Sequence, residues 1–241
     1  MSLLQICQSV AREIPLSVPT VLVGSTDETA KLLLACAQKA GKSLARAKDG
    51  GWVAMQSEHT FSTVVGQTDY DLPSDFAWVL NDTLWDRTNY EHLRGPLSPQ
   101  QWQVRRSSVL SDTSTTWKYF RFRRVSGTDK FSITPVPDAV ESLVFEYMSN
   151  GWCASSGGTA QTYWRADDDV GVLDEHLIEL GIMWRVLERL GMVYQSALDE
   201  YERELEKAIA RDGGAPVLSI SHETTLQLIS ANQVPDTGFG V

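Results

Sequence analysis

The chain has little of what staples a small fold or holds a metal. Its three cysteines, Cys7, Cys36 and Cys153, are odd in number and widely spaced, with no C-x-x-C pair. That argues against a disulfide framework and a zinc site, and suits synthesis in a reducing cytoplasm. The four histidines, His59, His92, His176 and His222, show no metal-ligand spacing. Long apolar runs are missing as well. No stretch of 18 apolar residues occurs, and Met1-Ser-Leu-Leu-Gln-Ile-Cys7 has neither a basic n-region nor a signal-length apolar core. The expectation is a protein neither secreted nor membrane-spanning, in which the sequon Asn81-Asp-Thr83 is a chance match.

Catalytic signatures are equally sparse. There is no G-x-S-x-G elbow and no cysteine motif of a nucleophile. Gly41-Lys42-Ser43 imitates the end of a phosphate-binding loop, but Cys36 stands where the motif needs glycine, and the segment reads as mid-helix. Asp167-Asp-Asp169 lacks the spaced oxygens, central glycine and distal glutamate of a calcium loop. It reads instead as acidity favouring the positive end of the next helix. No catalytic residue, cofactor or metal is expected, and the chain is read as a non-enzyme.

What the chain does have is enough apolar material for a core. Its 241 residues are 42% apolar and 22% charged, so one compact unit of two subregions should fold without staples. The formal net charge is -10 and unevenly placed: from Asp167 to Asp212, 13 acidic residues face 5 basic ones. From Gln100 to Lys130 the sign reverses, with 7 basic residues against Asp112 and Asp129. Such a dipole is either two solvated faces or complementary surfaces that meet between subunits. The basic surface would comprise Arg105, Arg106, Arg121 and Arg123. The acidic surface, between subunits or along a channel, would comprise Asp167, Asp168, Glu188, Glu202 and Glu206. Eight tryptophans read chiefly as core or interface anchors.

Periodicity predicts an α+β fold: a helical bundle with an inserted antiparallel β-sheet or small barrel. Leu3, Ile6, Cys7, Val10 and Ile14 mark a helix ending before Pro15. A second helix should start at Asp27, capped by Asp27 or Ser25, and run to about Lys48. From Trp52 the period becomes two, with strands predicted at 52–64, 69–72, 77–85, 117–125, 130–135 and 141–149. In the fourth of these, Phe120 and Phe122 should face inward and Arg121 and Arg123 outward, with Ser126-Gly-Thr-Asp129 as the turn. Leu97 to Arg106 reads as a short helix capped by Ser98, with Pro99 at its first position, followed by a polar loop from Ser107 to Thr116. Two closing helices hinge at Gly191, with Asp199–Arg203 and Glu204–Lys207 as same-face pairs. Residues 1–50 and 164–212 thus form a helical body, residues 51–163 a β-rich insertion, and residues 213–241 an extended tail. That tail could reach about 95 Å at about 3.3 Å per residue. Val217, Leu218, Ile220, Leu226, Leu228 and Ile229 give it the means to add a strand to, or fill a groove on, another chain.

Phe61-Ser-Thr-Val-Val-Gly-Gln-Thr-Asp-Tyr-Asp-Leu-Pro-Ser-Asp-Phe76 resembles a pattern of the head-to-tail adaptor and head-completion proteins of tailed phages, tail tubular proteins of short-tailed phages among them. Trp164-Arg-Ala-Asp-Asp-Asp169 with Leu173, Leu177 to Arg185, Leu190-Gly191 with Tyr194, and Glu200-Tyr-Glu202 are similar to their C-terminal helical hairpin, in the same order. Val172-Leu-Asp-Glu175 departs from the Leu-Pro often found before that helix. The resemblance implies a virion protein at the head-tail interface: a ring, commonly of twelve subunits, docked on the portal. Such a ring extends the DNA channel, lets DNA pass without sequence-specific binding, and holds the tail nozzle or tail proteins. A carbohydrate- or receptor-binding virion module built on the β-rich region is the alternative.

Overall fold

The computed structural model describes residues 1–107 and 117–213. Five helices and eleven short strands make a mixed α+β fold around two cores. Helix α1, Leu3–Glu13, opens with a capping box in which Ser2 Oγ accepts from Gln5 N and Gln5 Oε1 accepts from Ser2 N. It buries Leu3, Ile6, Cys7, Val10 and Ala11. Helix α2, Glu28–Ala45, is capped by Asp27, whose carboxylate accepts from Ala30 N at 3.2 Å. It stops short of the expected Lys48. Trp52 Nε1 donates to the Leu44 carbonyl at 2.8 Å, and the last turn tightens into bonds from Arg46 N to Ser43 O and Ala47 N to Leu44 O.

Helix α4, Glu175–Arg189, and helix α5, Gln195–Arg211, close the described chain. Gly191, at φ 69°, is the hinge. Its N–H donates to Glu188 O and that of Met192 to Leu187 O, the paired bonds of a Schellman stop that a left-handed glycine permits. Helix α4 packs against α1, α2 and α5. Of the expected pairs on α5, Lys207–Glu204 forms at 2.7 Å, whereas Arg203 Nε reaches the carbonyl of Asp199 instead of its carboxylate.

The strands form three separate antiparallel sheets, and none closes into a barrel among the described residues. The first contains β1 (Gln56–Ser62), β3 (Phe76–Val79), β4 (Trp85–Asp86), β5 (Glu91–His92) and, centrally, β8 (Ser142–Ser149). Strand β8 pairs with β1 on one edge and with β3 and β4 on the other. The second has the order β2 (Asp69–Asp71), β7 (Thr128–Thr134), β6 (Tyr119–Val125). The third joins β10 (Ala160–Gln161), β9 (Cys153–Ala154) and β11 (Val170–Gly171). Two predicted strands are thus trimmed or broken. Residues 53–55 form one 3-10 turn ahead of β1, and the 77–85 run splits where Thr83 Oγ1 bonds to Leu80 O and turns the chain. The β6–β7 turn is the two-residue Ser126-Gly127, both at positive φ, so Thr128 and Asp129 belong to β7. Helix α3, Pro99–Ser107, carries the expected Ser98 cap, with Ser98 Oγ accepting from Gln101 N at 3.2 Å.

One core lies among α1, α2 and α4 and takes in Trp52, Met55, Met148, Trp152, Cys153 and Trp164 from the β-rich stretch and the loops that flank it. The other is aromatic and lies between the first two sheets. Phe131 of β7 stacks on Phe145 of β8, with centroids 6.0 Å apart, and on Phe120; Phe61 and Phe122 meet it edge-on. As expected, Phe120 and Phe122 point into this core. Gly41, the phosphate-loop imitation, lies inside α2 where a Cβ would fall 2.0 Å from the Trp152 ring. Ala for Gly inside a helix ordinarily stabilises by up to about 1 kcal/mol. Here Gly41→Ala is expected to cost about 1–3 kcal/mol in urea unfolding, because the ring must shift; a stabilised variant would show that Trp152 does not close on this glycine.

Candidate functional site

The acidic segment divides into structural and free carboxylates. Asp167 accepts from Val23 N at 2.8 Å and Leu22 N at 3.1 Å, clamping the loop between α1 and α2. Its carbonyl accepts from Leu4 N, and that of Asp169 from Leu3 N, so both satisfy first-turn donors of α1. The Asp169 carboxylate, 1% exposed, holds the turn through Arg165 N and Ala166 N. The triplet therefore serves α1 and its loop and not the start of α4, whose cap is Asp174 bonded to His176 N at 2.9 Å. Sequence order concealed this, because the donors lie more than 140 residues away. Asp168 stays exposed, as do Glu188 near the end of α4 and Glu202 and Glu206 on α5. On α5, Asp199, Glu202 and Glu206 make an outer, mainly acidic stripe, with Arg203 among them, opposite Ala197 and Tyr201, which face inward.

The basic candidates also divide. Arg123 is held inside the chain: Nη2 reaches both Asp69 oxygens at 2.8 and 3.0 Å, and Nε reaches Ser132 Oγ at 2.8 Å. Burial works against ionisation of Asp69, but its bonds to Ser132 and Arg123 outweigh it and hold the carboxyl below its usual range. The Arg105 guanidinium stacks 3.4 Å from the Tyr119 ring centre, and Arg94 lies 3.7 Å from that of Trp117. Arg106 is exposed and Arg121 half-buried, neither in an ion pair among the described residues. The structure thus gathers the four arginines around α3 and β6 but leaves only these two for another molecule. Val217, Leu218, Ile220, Leu226, Leu228, Ile229, His222 and most of the polar loop before Thr116 lie outside the described residues.

Sequence reasoning missed a buried charge cluster for want of any local signal. Lys118 donates to Asp86 at 2.5 Å and to Glu141, while Asn89 bridges the two carboxylates. Asp86 is 0% exposed. Burial disfavours its charge, yet Lys118, Asn89 and the N–H groups of Thr88 and Asn89 prevail and lower its pKa. The Lys118 pKa is raised, the two carboxylates outweighing desolvation. Among the described residues no group of three potential ligands is placed to hold a metal ion. None of the described helices is long and apolar enough to cross a membrane. Trp52, Trp102, Trp152 and Trp164 are buried; Trp78, Trp85 and Trp117 are exposed.

Residues 1–220 match the family described as SU10 adaptor protein. The chain belongs to that family. No curated protein matches it. The adaptor is a structural phage protein and a virion component, as the resemblance implied.

The depressed pKa values of Asp69 and Asp86 place part of the adaptor's stability above the ordinary carboxyl range, to be lost as pH falls through the folded-state values. The urea midpoint should therefore hold near neutral pH and drop below about pH 4. Lys118→Met leaves two buried carboxylates unpaired and should cost about 3 kcal/mol at pH 7. The gap from the native protein should narrow as pH falls and Asp86 protonates; a gap independent of pH would refute the charge assignment.

Proposed function

We propose that this adaptor assembles as a closed ring, of twelve subunits, that docks on the portal, extends the DNA channel and offers the attachment surface for tail proteins. One observation carries the reading. The acidic stripe of α5 and the cations Arg106 and Arg121 make no ion pairs within the described chain, so each subunit carries two unpaired surfaces of opposite sign. Two different complementary patches on one chain suit a heterologous, head-to-tail contact that closes into a ring when the rotation allows. Complementary potential then sets register and excludes wrong neighbours more than it adds affinity. Asp167, as clamp, serves the fold; Asp168, Glu188, Glu202 and Glu206 supply the free acidic surface. An acidic protein around a channel repels the DNA backbone and lets the genome slide without base contacts.

The mass of the purified protein, alone and with its portal, tests the ring, and charge reversal tests its contact. Glu202→Lys with Glu206→Lys should abolish ring-sized species while leaving the subunit folded. Adding Arg106→Glu with Arg121→Glu should restore them. Restoration that never occurs would separate this pairing from the ring itself. For the tail, truncation after Gly214 should leave the subunit folded and abolish portal attachment in a pull-down; full attachment by the truncated chain would sink the tail assignment.

A further inference from the structure

Beside the end of α5 lies a cleft of about 800 Å³, within the range of roughly 300–1,000 Å³ typical of ligand pockets. Met148 and Trp152 contribute buried apolar surface, and the turn after α2 and Ala77-Trp78 of β3 also line it. Trp78 in its lining remains 48% exposed, and Tyr163, one face of which carries the Arg165 guanidinium 4.6 Å from the ring centre, 43%. Lys42 and Arg46 line it beside a single exposed carboxylate, Asp49, and make no ion pair among the described residues. The third cation of the cleft, Lys48, holds the Asp212 carboxylate at 2.5 Å, and the same carboxylate accepts from Val53 N at 3.1 Å. This lock sets Gly213 against Lys48 and Val53. The described chain therefore ends at the lip of the cleft.

The C-terminal segment beyond Gly213 matches the cleft chemically. Residues 214–241 contain no lysine or arginine and two acids, Glu223 and Asp236, and their first apolar run is Val217-Leu-Ser-Ile220. Residues 214–216 alone span up to about 11 Å. We propose that the cleft is the docking site for the segment Val217–Glu223 of the same chain. Its apolar side chains cover the Trp78 and Tyr163 rings, and its Glu223 carboxylate meets Lys42 and Arg46. A short tether gives an effective concentration in the millimolar range, so a weak contact suffices. The free subunit thereby shields the apolar residues that assembly uses, and releases them when another surface competes. This holds for an isolated chain and does not depend on the ring.

The test uses the full-length protein with Ala77→Cys and Leu218→Cys. The native cysteines are each 0% exposed, so the introduced pair is the one that reacts. Mild oxidation should give a 77–218 disulfide at monomer mass, read by peptide mapping, whether or not the protein forms rings. A second readout avoids disulfide geometry. Alkylation of Ala77→Cys should be about tenfold slower than in the same chain with Val217, Leu218 and Ile220 changed to Ser, as for a site open about one-tenth of the time. A covalent ladder of subunits would overturn docking within one chain and assign the cleft to a neighbour's tail. Equal alkylation rates with no disulfide would overturn the proposal altogether.

Discussion

Strand β8 has to serve two cores at once, and most of the structure depends on how it does so. Alternation along the strand sends Leu143, Phe145 and Tyr147 into the aromatic core, while Met148, from the opposite face, joins the helical one. Partners on both edges and burial on both faces explain why the strand is apolar almost throughout, with Glu146 its exposed exception. A slip of one residue would exchange the two sets of side chains and empty both cores, so its register is closely specified. The chain leaves β8 directly into Trp152, whose ring lies on Gly41 of α2. Helices and sheets are thereby locked to one another through a handful of residues.

The second constraint joins the ends of the described chain. An acidic turn just before α4 supplies acceptors to the first donors of α1 and to the loop after it, and α4 then packs on α1 and α2. Helices from the beginning and the end of the sequence thus share one core, leaving the strands between them to build their own. The three thiols are absorbed in the helical core. Burial pushes the thiols of Cys7 and Cys153 up to about 12, far from the thiolate that a nucleophile requires.

Those surfaces show why charge counted along a sequence overstates what is available for binding. Of 13 acidic residues between Asp167 and Asp212, several are caps or clamps, and the Arg123 charge is used on Asp69. The exposed remainder is the outer face of α5 with Asp168 and Glu188, and a few arginines near α3 and β6, a narrower pattern than the count along the chain.

Much of the fold was legible because its signals are local. Capping at Asp27 and Ser98, the Gly191 hinge, and the inward Phe120 and Phe122 all derive from neighbours a few residues apart. The ordered motifs likewise pointed to the family, since they record those same elements in sequence. Where prediction missed, the deciding partner was near in some places, as with Thr83 on Leu80 and Trp52 on Leu44, and far in others, as where the Asp167 triplet served α1 instead of α4. Lys118, Asp86 and Glu141 met only after folding. The sequence by itself determined where the helices and the longer strands lie and which of their faces are apolar, because backbone geometry imposes those periods. Tertiary structure alone decided which charges remain free and where the tail leaves the body, because those depend on partners that folding brings together from far along the chain.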